Sequence, residues 1–319
     1  MTEVAFPATI RRNMLHARHI ALAVRLAAAA AIAIFALSTP GFLTPLSINS
    51  LLTAISFVGC VAVGMTFITL IGNIMSLALG ATVSASALMF LACLSFGILP
   101  AFLITLLFSI VITGAQGFVV GHFRANPILV SIAALSLLLG AAQYATGGHR
   151  IYPNGEGLQI FKGRIAGIPK EAWIFFGCVV VGQFILSWTR IGRMMTMVGS
   201  NVRAATAAGI DATFTITFAY AMAGACSAVS GVLLAARYGS GDMEIAAGYE
   251  YSAIAAVLVG GTAIAGGSGS TLRTLVGVLV ISIIEVVLLL RGFSEQLQLL
   301  ITGLIVLCVI MLHTLGERR

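Results

Sequence analysis

The sequence predicts an all-α protein, a polytopic bundle of transmembrane helices in the bacterial inner membrane. Hydrophobic residues make up 60% of the 319 residues and charged residues only 8%, whereas soluble domains carry about 25% charged residues. So few charges could not cover a soluble surface, which excludes a soluble enzyme, a nucleic-acid-binding protein and a disordered chain. The apolar stretches are long and do not alternate with polar residues, which excludes a transmembrane β-barrel.

Ten candidate spans follow one another along the chain, and we expect eight to ten crossings. A helix needs about 20 mainly apolar residues to cross the bilayer. The eighth candidate is shorter and rich in glycine, so it is predicted to be a re-entrant or broken helix. A turn-type pair, Gly72–Asn73, separates the second and third candidates. The candidates are residues 20–38, 48–71, 74–96, 99–120, 127–146, 171–189, 213–236, 251–266, 273–291 and 296–313.

These spans form a single transmembrane domain over residues 20–313, between an N-terminal tail (1–19) and a C-terminal tail (314–319). Both tails are predicted to be cytoplasmic, because eleven of the 17 lysines and arginines then lie inside and six outside. The N-terminus resembles a signal peptide in its arginines and its small residues near Ser38. Its apolar run is long for a signal peptide, so we expect the first helix to be retained.

Two connections between spans are long enough to carry a function. Residues 147–170 are expected outside and are rich in turn residues, which indicates an ordered surface loop. Residues 190–212 are expected in the cytoplasm. There, Ser200 or Asn201 can cap a helix start, the following alanines favour a helix and Gly209 can end it. This pattern predicts a short helix along the cytoplasmic face, with a plain amphipathic connector as the alternative.

The chemistry that the sequence lacks is also informative. The phosphate-binding pattern G-x-x-x-x-G-K-[ST] is absent, and neither Lys162 nor Lys170 lies in such a motif. We therefore expect no ATP site on this chain, no catalytic residue and no cofactor. The five cysteines are scattered singly through apolar runs, so neither a disulfide framework nor a metal site is expected.

Glu285 is the clearest carboxylate inside a predicted span. A charged carboxylate near the centre of a membrane helix costs about 2.5–3.5 kcal/mol on insertion scales. It is expected either to line a pathway and hydrogen-bond a substrate, or to contact another helix, with Arg291 as a candidate partner. A stand-alone carrier that uses Glu285 is a further alternative.

The densest glycine cluster comprises Gly260–Gly261 and Gly266-Gly267-Ser268-Gly269. Small residues allow membrane helices to approach closely. The cluster is expected to mark tight packing or a broken helix, or alternatively a passage lined by backbone.

Two motifs resemble those of the membrane permeases of bacterial monosaccharide ABC importers, the ribose-permease type. The first is TRIGRMMTMVGSNVRAATAAGID (189–211), and the second is GYEYSAIAAVLVGGTAIAGGSGS (248–270). The resemblance begins near Ser47 and is strongest in the C-terminal half. It implies the translocation subunit of an importer that moves a monosaccharide by alternating access. A permease of the same type for a nucleoside or a signalling furanose is the alternative.

The resemblance also implies partners. These are a cytoplasmic ATP-binding subunit with two fused nucleotide-binding domains, a periplasmic sugar-binding protein and a second permease chain in a homo- or heterodimer, all at or in a lipid bilayer. The loop at 147–170, together with Asp242 and Glu244, is the candidate docking surface for the binding protein. The connection at 190–212 is the candidate coupling segment, and its coupling residues are Gly192, Arg193, Gly199, Asn201, Ala204, Ala205, Gly209 and Ile210.

The candidate pathway residues are Asn73, Ser76 and Glu285. The family usually carries G-G-I-D-L-S-V-G-S where this chain begins its third span. Here Ser76 stands in place of the aspartate and Ala78 in place of the serine. The change to Ser76 removes a charge and a strong hydrogen-bond acceptor, so the substrate is expected to differ from the commonest sugars, or the chain to be one half of an asymmetric pair.

Overall fold

The computed structural model describes residues 38–73, 75–153 and 158–317. The regular secondary structure of the described chain is almost entirely α-helical, as predicted. A two-stranded antiparallel hairpin, β1 (Arg164–Ile165) and β2 (Ile168–Pro169), precedes α5. The helices are α1 Pro45–Leu70, α2 Leu79–Cys93, α3 Ile98–Phe123, α4 Pro127–Thr146, α5 Lys170–Trp188, α6 Arg190–Ser200, α7 Val202–Ala207, α8 Ala212–Tyr238, α9 Tyr249–Val259, α10 Thr271–Leu290 and α11 Glu295–Glu317.

Seven described helices are long and apolar enough to cross a membrane: α1, α2 together with the 3-10 turn Leu94–Phe96 that follows it, α3, α4, α5, α8 and α10. They coincide with seven of the predicted spans, which confirms an all-α polytopic membrane protein. The apolar stretch Gln296–Ile305 of α11 falls within the tenth prediction. The N-terminal tail lies outside the described residues. The first predicted span also lies outside them, apart from its last residue, Ser38.

The third span begins at Leu79 and not at residue 74. Gly72 has a φ of +77° and ends α1 in a conformation that favours glycine. The chain is then non-helical at 75–78. Residues 71–78, of which residue 74 is not described, are called the first break below.

The eighth candidate is a broken helix, as expected. Its helix α9 has 11 residues and is about 16 Å long at 1.5 Å per residue, too short to cross a bilayer. The chain is irregular from Gly260 to Ser270, and α10 begins at Thr271. Residues 260–270 are called the second break below.

The bundle has central and peripheral helices. Within an apolar stretch of 18 residues, 83% of the residues are buried in α1 and 72% in α8, but only 17% in α4. The main apolar core joins α1 and α8 to residues of α5, α9 and α10. In contrast, α4 exposes large apolar side chains such as Leu129 and Leu137, as a helix facing lipid does.

Small residues bring α3 and α8 close together. Gly117 and Gly121 form a G-x-x-x-G pair on α3, and the backbone at Gly121 faces Thr213 of α8. A Cβ at Gly117 would lie 2.6 Å from the Cβ of Tyr220, and one at Gly224 would lie 2.5 Å from the carbonyl oxygen of Ser109. Glycine therefore allows the close approach, as it does in other membrane helix pairs.

The bundle has two ends. At the hairpin end, an isolated β-bridge joins Ile151 to Gly241, and Arg291 donates hydrogen bonds to Ser38 and Thr39. At the connector end, the hydroxyl of Thr213 donates to the carbonyl of Gly121 over 3.3 Å. The segment from Thr189 to Asp211, called the connector, also lies at this end.

Candidate functional site

The connector folds as two short helices. The Thr189 hydroxyl caps α6 by accepting a hydrogen bond from the Gly192 N–H over 3.2 Å. Asn201 separates α6 from α7 with an extended backbone, and its Oδ1 accepts a hydrogen bond from the Ala204 N–H over 3.0 Å. This bond is a standard N-cap, so the predicted capped helix start is confirmed.

Gly209 ends α7, as predicted. The Gly209 N–H donates to Thr206 O and the Ile210 N–H donates to Ala205 O, each over 3.0 Å. With a φ of +81° at Gly209, these two bonds form a Schellman motif. Asp211 then caps α8 through the Phe214 N–H over 3.0 Å. Local hydrogen bonds therefore define both ends of α7.

The predicted coupling residues differ in their surroundings. Arg193, Asn201, Ala204 and Gly209 are exposed, and Ile210 is half-buried. Ala205 is only 4% exposed and belongs to the main apolar core. The helix α7 is thus held by one small side chain, and the rest of it remains accessible.

Gly192 and Gly199 anchor α6 to the bundle. A Cβ at Gly192 would collide with the carbonyls of Ile185 and Leu186 at the end of α5. A Cβ at Gly199 would collide with the carbonyl oxygen of Leu70 and would lie 2.6 Å from the backbone nitrogen of Gly267. Each glycine allows backbone-to-backbone contact that any other residue would prevent.

Three chain segments meet at Gly199. The Gly267 N–H donates to Leu70 O over 2.8 Å, which links the second break to the end of α1. A Cβ at Gly266 would come within 2.5 Å of the Gly72 nitrogen. We call Gly72, Gly199, Gly266 and Gly267 the glycine junction. It joins the connector to both breaks mainly through close backbone contacts.

The Gly260–Gly269 cluster is therefore a broken helix with tight packing, one of the two expected alternatives. Gly261, Gly266 and Gly267 have positive φ angles. A cleft of about 470 Å³ opens beside the junction. It is lined by Thr196, Met197, Ser200, Asn201, Ala204, Ala205, Ala208 and Gly267.

A third irregular segment, residues 239–248, descends along α2 from the hairpin end. Gly241 faces Leu91, and the Ala246 N–H donates to the Ser84 hydroxyl over 3.3 Å. Glu250, at the start of α9, reaches Gly80 at the start of α2. Leu91 and Gly80 are eleven residues apart on α2, which is about 16 Å along the helix. Because Gly241 lies beside Leu91 and Glu250 beside Gly80, Glu250 lies deeper in the bundle than Gly241 by about this distance.

Several buried polar atoms lie near the first break. The Nδ2 atom of Asn73, the hydroxyls of Ser76 and Tyr220 and the Oε2 atom of Glu250 are buried and lack a hydrogen-bond partner among the described residues. The side chain of Asn73 approaches the Tyr220 hydroxyl. Buried polar groups without partners are rare in folded proteins and require an explanation.

Glu285 lies apart from these atoms, on α10. Its Oε1 accepts a hydrogen bond from the Ser252 hydroxyl of α9 over 2.7 Å. This geometry matches the expected interhelical contact but with a different partner, since Arg291 donates to Ser38 and Thr39 instead. Among the described residues, Glu285 forms no hydrogen bond with Asn73 or Ser76.

Sequence reasoning missed Glu250. The predicted eighth span began at Tyr251, so Glu250 was assigned to the preceding loop. The available signal was its place in the GYE motif at 248–250, directly before an apolar run that is too short to span a membrane.

Comparison with known proteins identifies relatives over most of the chain. The ribose import permease of Bacillus subtilis is 32% identical over 88% of this chain and 88% of its own length. The ribose import permease of Haemophilus influenzae is 30% identical, with 90% and 91% covered. The L-arabinose transport system permease of Escherichia coli is 27% identical, with 86% and 84% covered. No solved structure matches the chain.

A family model described as a branched-chain amino acid transport system / permease component matches residues 47–310. This family is a transport permease component and not an enzyme, which agrees with the expected absence of an ATP site on this chain. The match covers both the connector and the two breaks. The chain therefore belongs to this family of transport permeases, and its ribose- and arabinose-permease relatives confirm the resemblance to the sugar-importer type.

Proposed function

We propose that this chain is the translocation subunit of an ATP-driven importer that moves a monosaccharide from the periplasm to the cytoplasm. The names of its relatives, import permeases for ribose and arabinose, support this substrate class. The bacterial inner membrane is the proposed location. In this proposal the connector end faces the cytoplasm, and the excess of lysines and arginines on that side favours cytoplasmic termini.

Three partners complete the proposed importer. An ATP-binding subunit with two fused nucleotide-binding domains docks at the connector end. A periplasmic sugar-binding protein docks at the hairpin end, where the loops at 147–153 and 239–248 are adjacent through the Ile151–Gly241 bridge. A second permease chain, identical or related, forms the other half of the pathway.

The connector is the proposed coupling segment. Its exposed residues on α6 and α7 (Arg193, Asn201, Ala204 and Gly209) are accessible to the ATP-binding subunit. Gly192, Gly199, Ala205 and Ile210 face the bundle and transmit the movement. A rigid connector suits this role because hydrogen bonds cap both ends of α7.

The glycine junction is the observation that carries this proposal. The connector contacts the end of α1 at Leu70, the first break at Gly72 and the second break at Gly267. A displacement of α6 therefore moves the end of α1 and the second break together, because close backbone contacts cannot relax as side chains do. Rigid-body movement of packed helices is a common basis of alternating access.

The first break leads from the junction to the proposed pathway. Asn73 and Ser76 lie within it, and Glu250 reaches the start of α2 just beyond it. Their unpaired buried atoms are suited to hydrogen-bond the hydroxyl groups of a sugar. We assign Glu285 a supporting role, in which it positions α9 through Ser252.

Ser76 favours a second candidate substrate. Serine in place of the family's aspartate offers a donor and a weaker, neutral acceptor. A nucleoside or a signalling furanose presents fewer hydroxyl groups than a hexose and is the alternative substrate of the same pathway.

Uptake by proteoliposomes tests the proposal. The chain is reconstituted with its ATP-binding subunit and its binding protein, and labelled ribose, arabinose and a nucleoside are supplied in turn. We expect uptake that requires both ATP and the binding protein. Uptake driven by a proton gradient in the chain alone would contradict the proposal and favour a stand-alone carrier.

Substitution of the two membrane carboxylates separates their roles. Glu250→Gln is expected to reduce uptake by about tenfold or more, since it removes a charge-assisted hydrogen bond worth about 1.5–3 kcal/mol. Glu285→Gln keeps an acceptor for Ser252 and is expected to retain most of the uptake. Equal losses in the two variants would argue against a pathway role specific to Glu250.

A further inference from the structure

A second polar cavity lies at the hairpin end, far from the glycine junction. It has a volume of about 130 Å³ and is bounded by the start of α1, the β-hairpin, the start of α5 and the end of α8. Its polar lining residues are Asn49, Ser50, Thr53, Arg164, Glu171 and Arg237. The lining thus combines one carboxylate, two guanidinium groups and neutral hydrogen-bonding groups.

Glu171 is the unusual member of this cavity. It is only 3% exposed, and it makes no hydrogen bond or ion pair within the described part of the chain. Its carboxylate oxygens are not among the fully buried, unpartnered polar atoms of the described residues, so they are open to the cavity. Because Glu171 lines the cavity, a cationic group bound there would supply the missing partner.

Arg164 and Arg237 line the same cavity and are exposed. Neither lies within 4.0 Å of a carboxylate oxygen in the described residues. A nearby arginine behaves differently, since Arg150 pairs with Asp242 over 2.6 Å. The cavity therefore holds a carboxylate and two guanidinium groups apart, with space between them.

Contacts outside the cavity hold its walls in place. The indole N–H of Trp173 donates to Ile165 O over 3.3 Å, and the Lys170 ammonium donates to Ile160 O over 3.0 Å. The first bond fixes the hairpin, which carries Arg164, against α5, which carries Glu171. The second ties the start of α5 to the turn before the hairpin. The separation of the charges is thus built into the fold.

One large apolar side chain, Leu46, also lines the cavity, and Trp173 lies two positions after Glu171 on α5 without lining it. Leu46 is 74% exposed, and Trp173 is 47% exposed. Exposed tryptophan at the end of a membrane helix is typical of the interface between lipid headgroups and acyl chains. A ligand with its charged part in the cavity and its apolar part along the exposed side chain of Leu46 matches this arrangement.

We propose that this cavity binds the headgroup of a phospholipid that carries both a primary ammonium and a phosphate, as phosphatidylethanolamine does. Glu171 accepts hydrogen bonds from the ammonium. Arg164 and Arg237 donate to the phosphate, in charge-assisted bonds that guanidinium groups form well. The acyl chains leave the cavity along Leu46, and Trp173 lies at the same end of the bundle in the headgroup region. The site is independent of the proposed coupling and pathway residues.

Native mass spectrometry of the detergent-purified chain tests this proposal. The chain is titrated with phosphatidylethanolamine, with phosphatidylglycerol and with soluble phosphoethanolamine. We expect phosphatidylethanolamine to bind about tenfold more tightly than phosphatidylglycerol, because only the former carries an ammonium for Glu171. Binding of soluble phosphoethanolamine as tight as that of the lipid would overturn the lipid assignment.

Three variants assign the contacts. Glu171→Gln is expected to abolish the preference for phosphatidylethanolamine while leaving phosphatidylglycerol binding unchanged. Arg164→Gln, at an exposed position that tolerates substitution, is expected to weaken both lipids by about tenfold. The control is Glu244→Gln, an exposed carboxylate at the same end that does not line the cavity. An unchanged preference in Glu171→Gln, or an equal loss in Glu244→Gln, would overturn the proposal.

Discussion

The glycine junction and the outward-facing side of α5 contain the same residue type in different surroundings. At the junction, a Cβ on Gly199 would collide with the backbone of α1 and approach that of the second break. On α5, Gly177 is exposed and has no atom within 4 Å of an added Cβ. The comparison shows that the glycine content of a membrane helix does not by itself indicate close packing. Only the glycines that face another backbone are required.

Gly199→Ala is expected to have the largest effect. Its methyl group meets backbone atoms of two segments, which cannot move aside as a side chain can. Overpacking costs about 1–3 kcal/mol and sometimes more, so we expect a loss at the upper end of this range. Thermal unfolding in detergent and ATP-driven uptake are the measurements.

Gly177→Ala is the matched control for that substitution. Alanine is favoured over glycine by about 1 kcal/mol inside a helix, so the variant is expected to be equally stable or slightly more stable, with normal uptake. If both variants lost the same stability, the distinction between packed and open glycines would be wrong.

Ala205→Leu sharpens the comparison within α7. Ala205 is 4% exposed in the main core, and a larger side chain must lift α7 from the bundle. We expect a loss of about 1–3 kcal/mol and ATP hydrolysis that no longer drives uptake. In Ala207→Leu, at an exposed position of the same helix, both properties should be retained. Coupled transport in Ala205→Leu would count against the assignment of α7.

Gly209→Ala tests the cost of backbone strain at a position where an added methyl group meets no neighbouring atom. No atom lies within 4 Å of a Cβ at Gly209, but its φ is +81°. An alanine in this left-handed region costs about 1–2 kcal/mol. Asparagine tolerates the conformation better, so Gly209→Asn is expected to recover part of the lost stability. If Gly209→Ala were as stable as the parent protein, the Schellman motif would not matter for stability.

Asn201→Ala is expected to have the smallest effect. It removes the N-cap of α7, which costs about 1 kcal/mol. Hydrogen exchange of the α7 amides should rise, with little change in global unfolding. Asn201→Asp preserves the cap and should restore protection. Unchanged exchange in Asn201→Ala would show that contacts other than the cap hold α7.

Local features of the site were predictable from the sequence because they depend on neighbouring residues. The caps at Asn201 and Gly209 use atoms within a few residues of each other, and both were predicted. The partner of Glu285 was not, because Ser252 lies on another helix and many hydroxyls in the sequence could have filled that place. Glu250 was missed for a related reason: its depth depends on how residues 239–248 pack along α2.

Composition alone determined that this protein is a helical membrane bundle. With 8% charged residues, the chain has too few polar side chains to cover a water-exposed surface, so its apolar side chains must contact lipid or pack against one another. The sequence also determined the family, through motifs at 189–211 and 248–270. The tertiary structure alone decided that Gly72, Gly199 and Gly267 meet, and that Glu171 lines the same cavity as two arginines. These contacts join residues that are far apart in the chain, and glycine in particular has no side chain whose chemistry could indicate its partner in advance.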